Sequence, residues 1–291
     1  MNRHQAALLA VTVFIWGSTW YAIKFQLGVV EPVVSVAWRF LAAAGLIFLT
    51  ARLIGVRLTL TPGQHAWALI QGLTLFGVNY CLFYLATAHI TTGLIAVIFS
   101  TIVFWNIWGA RLWFGHLIDL QVVIGAFVGF CGMSLLFMPD IFILNYGPTE
   151  IGALLLCVAA TVCASAGNLV NARNQKAGIG LWQGNAWGML YGGLATLGFA
   201  VATGLPLAFD FSVPYVLSFA YLTVFGSIAA FAAYLTLINT SGPEKAAFAT
   251  LLFPVVALAI STALEGYQWH IEAMIGVVLV LAGNRIALRA A

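Results

Sequence analysis

Runs of about 20 apolar residues recur ten times in this chain, at 6–24, 33–51, 66–88, 92–113, 120–138, 150–171, 182–203, 214–238, 246–264 and 271–288. That is the length a helix needs to cross the hydrocarbon core of a bilayer. Apolar residues surround each run, which leaves no face for water. The strict alternation of a membrane barrel is absent. Charge closes the argument: only 7% of residues are charged, against roughly 25% in a soluble domain. So little charge could not cover a soluble surface. The expected fold is an all-α membrane protein of ten transmembrane helices whose surroundings are lipid.

Basic residues favour the cytoplasmic side of a membrane. With the N-terminus inside, Arg3, Arg52, Arg57, Arg111, Arg173, Lys176, Lys245, Arg285 and Arg289 all fall there. Lys24 falls outside and Arg39 within a run. Both termini are therefore expected in the cytoplasm. The first run is long and lacks a clear small-residue cleavage site, so it is expected to stay as the first span. Cys81, Cys131, Cys157 and Cys163 lie inside runs without disulfide or zinc spacing and read as small apolar residues.

The two halves resemble each other. VAWRFL (36–41) matches NAWGML (185–190), and FGHLIDLQVVIGAFVGFCG (114–132) matches EGYQWHIEAMIGVVLVLAG (265–283). The second pair aligns Gly115, Gly125 and Gly132 with Gly266, Gly276 and Gly283. WGS (16–18) aligns more weakly with CAS (163–165). Residues 1–145 and 146–291 are thus expected to be five-helix repeats of one membrane unit. Five spans is an odd number, so the second copy enters from the opposite side, giving the inverted repeat of many secondary transporters.

IWGSTWYAIK (15–24), EPVVSVAWRFLAA (31–43) and GPEKAAFATLLFPVVALAISTALEG (242–266) resemble the EamA-type branch of the drug/metabolite transporter superfamily. The resemblance covers the whole chain. It implies a ten-span carrier with a mid-helix proline at Pro254 and a glutamate near the helix end at Glu265. The first half departs from that pattern, with Val103 and Phe114 at the aligned positions, so the fourth run is expected to lack the kink of the ninth. Within the superfamily the aromatic-rich runs look most like bacterial exporters of aromatic and neutral amino acids. Carriers of drugs and of sugar or nucleotide derivatives also belong to it.

Polar groups at membrane depth need partners or a water-filled cavity. In the third run Phe76, Asn79, Tyr80, Phe83 and Thr87 form one stripe at helical spacing. Ser165 and Asn168 in the sixth run, Thr101 in the fourth and Tyr234 in the eighth add polar groups, while Trp16 and Trp187 add flat walls. The expected substrate site is therefore Trp16, Asn79, Tyr80, Phe83, Thr101, Ser165, Asn168, Trp187 and Tyr234. Each aromatic can equally pack between helices or face lipid. Such a site suits a small amphiphile with an apolar side chain.

Arg39 lies six residues into its run, roughly 9 Å deep and within snorkelling reach of the outer surface. Its repeat equivalent is Gly188. A structural arginine, a contact to a substrate carboxylate and an outer gate with Glu265 all remain open. No carboxylate or histidine falls in the centre of a run, so no proton relay is evident. HExxH, GxSxG and P-loop motifs are missing, so neither an intramembrane enzyme nor an ATP-driven pump is expected. No cofactor and no nucleic-acid partner is expected. The reading is an inner-membrane carrier of small organic solutes that exports amino acids by alternating access. A carrier of another metabolite or drug is the alternative, and a non-transporting receptor or scaffold would need larger loops. Oligomeric state is left open.

Overall fold

The computed structural model describes residues 2–143, 147–265 and 269–289, without the side chains of Thr92, Asp140, Ile143 and Glu265. Every regular element among the described residues is helical. The first half contains α1 (Arg3–Ile23), α2 (Pro32–Leu53), α3 (Pro62–Gly72), α4 (Val78–Thr87), α5 (Thr92–Ser100), α6 (Ile102–Phe114), α7 (Leu120–Leu136) and the short α8 (Met138–Ile143). The second contains α9 (Pro148–Lys176), α10 (Leu181–Ala202), α11 (Val213–Tyr221), α12 (Ala230–Ser241), α13 (Pro243–Ala246), α14 (Ala249–Glu265) and α15 (Ile271–Arg289).

Eight of the ten expected runs form helical stretches long and apolar enough to cross a membrane. The fifth run forms α7, which is shorter at 17 residues. The seventh forms α10, which has the length at 22 residues but is diluted by Gln183, Asn185 and several glycines. Those glycines let α10 approach its neighbours. A Cβ at Gly192 would stand 2.7 Å from the carbonyl oxygen of Gly72 and 2.5 Å from the Cβ of Phe76.

Local chemistry sets the helix ends. Prolines 32, 62, 148 and 243 open α2, α3, α9 and α13, where a missing N–H costs nothing. Asn2 and Thr61 cap α1 and α3, each with a glutamine three residues on that reaches back to the cap, so exposed N–H groups are satisfied in both directions. Gly115 closes α6 with φ +71°, a left-handed conformation that glycine adopts without penalty.

Several long runs are interrupted in ways that composition does not signal. π turns at Leu73–Gly77 and Leu222–Ala229 join α3 to α4 and α11 to α12, at equivalent places in the two halves. The fourth run is interrupted without a proline, between α5 and α6. Thr101 breaks it, donating its N–H to Ile98 O at 3.0 Å and its hydroxyl to the same carbonyl at 2.6 Å. A hydroxyl that bonds back to its own helix competes with the regular ladder. The ninth run opens at Ala247–Phe248, between α13 and α14, and Pro254 lies inside α14.

The two halves pack reciprocally. α7 runs antiparallel along α15. A Cβ at Gly125 would meet Gly283 O at 2.5 Å, and one at Gly132 would meet Gly276 O at 2.7 Å. Exchanging each glycine for its repeat equivalent returns the same two contacts. α2 packs on α10, α1 on α12 and α14, and α9 on α4 and α6, which is again a set that maps onto itself. Gln5, Thr240, Ser241, Lys245 and Leu288 line a small cleft, so the start of α1 and the end of α15 share one end of the bundle, called here the terminal end.

Candidate functional site

The walls of a central cavity of about 300 Å³ begin at α1. Gly17 lets α14 press against α1: a Cβ there would stand 2.6 Å from the Val256 Cβ and 2.9 Å from Phe253 O. This close approach stacks Trp20 on Phe253, with ring centroids 6.2 Å apart. Trp16 meets Tyr234 at 4.9 Å and Phe231 edge-on at 5.2 Å. The indole N–H of Trp16 donates to Gly226 O at 3.2 Å. That carbonyl belongs to the second π turn, and π turns shift carbonyls out of the regular i→i−4 ladder. The irregular backbone thus orients one of the two indoles of the cavity.

α4 supplies Asn79, Tyr80 and Phe83, and Phe83 meets Phe99 of α5 edge-on at 5.6 Å. α9 supplies Asn168, whose amide donates to the Tyr234 hydroxyl at 3.1 Å. The side-chain oxygens of Asn79 and Asn168 are buried without a hydrogen-bond partner. Buried polar atoms are normally satisfied, so these two mark polar capacity held in reserve beside the cavity.

Arg39 is the one charged residue among the described lining residues. Its guanidinium carbon lies 5.1 Å from the Phe40 ring centroid and 5.8 Å from that of Tyr80, and its Nε is buried without a partner. No carboxylate or histidine lines the cavity among the described residues.

The cavity occupies the middle of the bundle and the half away from the terminal end: its α1 residues are Trp16, Thr19, Trp20 and Ile23, from the second half of that helix. Beside it, hydrogen bonds tie the two halves together. Asn106 of α6, fully buried, donates to Pro243 O at 2.9 Å and accepts from the Ser165 hydroxyl at 2.6 Å. One side chain of the first half thereby ties α9 and α13 of the second. His116, just beyond α6, faces Glu244 of α13 at 3.3 Å.

Of the residues expected at the site, Trp16, Asn79, Tyr80, Phe83, Asn168, Tyr234 and Arg39 line this cavity. Thr101, Ser165 and Trp187 do not. Thr101 is engaged in the helix break and Ser165 in the hydrogen bond to Asn106. Trp187 donates to Leu58 O at 2.7 Å and packs edge-on against His65 at 4.5 Å, holding the loop between α2 and α3 against α10. The side chain of Glu265 lies outside the described residues. The stripe expected on the third run is split by its π turn, which changes the helical phase. Phe76 turns into the interface with Phe40 and Phe231, and Thr87 bonds to Tyr84 O at the helix end. Thr19, Phe99 and Phe231 join the lining, although no sequence pattern singles them out as a group. Phe231 lies three residues before Tyr234, a helical spacing that could flag it.

Comparison with known proteins places this geometry among transporters. The model of the EamA-like transporter family matches twice, at residues 5–138 and 151–289. The chain is 30% identical over 262 residues to the uncharacterised inner membrane transporter YedA of Escherichia coli K12, covering 89% of this chain and 82% of YedA. It is 23% identical to the uncharacterised transporter YvbV of Bacillus subtilis, over 96% of this chain and 90% of that one. It is 20% identical to the protein PagO of Salmonella typhimurium, over 99% and 94%. A solved crystal structure superposes with a TM-score of 0.85 at 15% identity, covering all of this chain and 98% of its own. At that identity the likeness speaks for the fold alone.

Proposed function

The chain belongs to the EamA-like transporter family, and on that footing we propose that it is a secondary carrier that exports small organic solutes, aromatic or neutral amino acids foremost, through the central cavity. It is a multi-pass inner-membrane protein. In this reading α7 and α10 complete ten spans, the two matched halves form an inverted repeat, and both termini lie in the cytoplasm. The terminal end is then the cytoplasmic end and the cavity faces outward. The antiparallel α7–α15 pair and the distribution of basic residues support this arrangement. Access alternates when one bundle rocks against the other around the cavity.

The observation that carries the substrate assignment is a cavity walled by rings and holding a single guanidinium. The rings suit an apolar side chain, and the guanidinium suits a carboxylate, which it can bind through two parallel hydrogen bonds. Asn79, Asn168 and Tyr234 offer the remaining polar contacts.

Transport follows the substrate's own gradient in this reading. A proton-coupled carrier needs a group whose protonation changes as its access alternates, and the described cavity residues supply neither carboxylate nor histidine. The test is reconstitution in liposomes with a panel of labelled amino acids. With equal substrate on both sides and an imposed pH difference, no net accumulation is expected. Accumulation that collapses with a protonophore would overturn the uncoupled mechanism, and its loss in Glu265→Gln would identify the coupling group. Asn79→Ala and Asn168→Ala are expected to reduce flux several-fold, about the value of one or two hydrogen bonds, while leaving folded protein in the membrane.

Topology has its own check. Tags at both termini are expected to react only with reagents that reach the cytoplasm. Labelling of the two termini from opposite faces would remove the ten-span inverted repeat.

A further inference from the structure

An arginine stays protonated at any physiological pH, so the cavity carries a fixed positive charge in every state of the cycle. What neutralises it decides which states can close. Glu31 precedes Arg39 by eight residues, about 12 Å along a helix, and its carboxylate accepts from the Tyr84 hydroxyl at 2.9 Å. Glu244 sits at the other end of the bundle, facing His116. Among the described lining residues Arg39 has the rings of Phe40 and Tyr80 beside its guanidinium and the Tyr80 hydroxyl within hydrogen-bond reach, but no carboxylate, and its Nε has no partner. Rings attract a cation, but by far less than the cation loses once water leaves. The open cavity is tolerable because solvent reaches it; Arg39 itself is only partly buried.

We infer that Arg39 keeps the empty cavity from closing until a carboxylate pairs with it, so that the carrier works as an exchanger of carboxylate-bearing solutes. The inference rests on the reading of the cavity as the substrate site. Occlusion strips water from everything inside. With a substrate carboxylate on Arg39 the cation is paired as the walls come together. Without one, closure buries a cation that no carboxylate among the described lining residues neutralises, a costly arrangement in a membrane protein. Loaded carrier therefore crosses readily in both directions, and empty carrier crosses slowly. Net export, which needs an empty return, is slower than one-for-one exchange. The recognition element is the carboxylate: a solute with the same ring and no carboxylate occupies the walls but leaves Arg39 unpaired.

The experiment follows efflux of labelled L-phenylalanine from liposomes containing the full chain, into buffer with or without an unlabelled solute. External L-phenylalanine or 3-phenylpropanoate is expected to accelerate efflux about tenfold or more. Phenethylamine, which has the ring and no carboxylate, is expected not to accelerate it. In Arg39→Gln the ratio of exchange to net efflux is expected to fall to about one, because closing the empty cavity no longer buries a charge. Arg39→Lys retains the cation and is expected to keep a ratio well above one, which separates loss of charge from loss of fold. Saturable wild-type efflux that external phenylalanine leaves unchanged would overturn the exchange mechanism and leave the site standing. Equal acceleration by phenethylamine would overturn the role of the carboxylate. Absence of any saturable flux of either carboxylate would overturn the site and the exchange mechanism together.

Discussion

Gly283→Leu is expected to stop the bundle from assembling. A Cβ at Gly283 would stand 2.5 Å from Gly125 O and 2.5 Å from Gly129 N. Both are backbone atoms inside a helix, so neither can rotate away. α7 and α15 would have to separate, and the reciprocal approach of Gly132 to Gly276, where a Cβ would stand 2.7 Å from the carbonyl oxygen opposite, would open with them. Forcing even one extra methylene into a packed interior costs about 1–3 kcal/mol. Leucine adds four carbons, enough to remove much of a stability of about 5–15 kcal/mol. The expected result is loss of most monodisperse protein after detergent extraction, or a fall in melting temperature of about 10 °C or more. Gly45 provides the control: nothing lies within 4 Å of a Cβ built there, and Gly45→Leu is expected to behave as wild type. A Gly283→Leu protein with unchanged yield and melting temperature would mean that the two helices are not packed this closely.

The second large effect is on transport. Trp16→Ala is expected to lower flux at limiting substrate about 100-fold, the loss that follows removal of about 2.7 kcal/mol of binding. That magnitude is typical of a buried aromatic anchor. Trp16 touches Phe231, Tyr234 and Phe253, so its removal merges the cavity with the space it now fills and takes away the flat wall. Trp16→Phe keeps most of the wall and loses only the bond to Gly226 O. Its flux is expected to fall about tenfold or less, since one such bond is worth about 0.5–1.5 kcal/mol. Flux and affinity unchanged in Trp16→Ala, in a protein of normal melting temperature, would place the transport route elsewhere.

The candidate site is partly legible in the sequence. Asn79, Asn168 and Tyr234 stand out because an amide or hydroxyl at membrane depth demands a partner, and they line the cavity. Thr101 and Ser165 satisfy the same criterion and lie outside it. Their hydroxyls find partners nearer at hand, in Ile98 O and Asn106. Sequence shows that a polar group needs satisfying; it does not show what will satisfy it. Trp187 fails for a related reason, because the carbonyl it binds belongs to Leu58, more than a hundred residues away. The π turns are invisible in sequence because five or eight residues of altered hydrogen bonding leave no compositional mark, yet they rotate every side chain beyond them.

The solvent, the helical class, the two similar halves and the family resemblance all follow from the order of residues alone. Length, lack of charge and internal similarity are properties of the chain read in one dimension, and a bilayer permits few structures to a chain of that kind. Where the cavity lies, how the two halves are tied together and what surrounds Arg39 emerge only from packing in three dimensions. Those features depend on helix phase and on contacts such as Asn106 with Pro243 O or Gly125 with Gly283. Both bring together residues more than a hundred positions apart, and their geometry is fixed only when backbones close to within an atom's width.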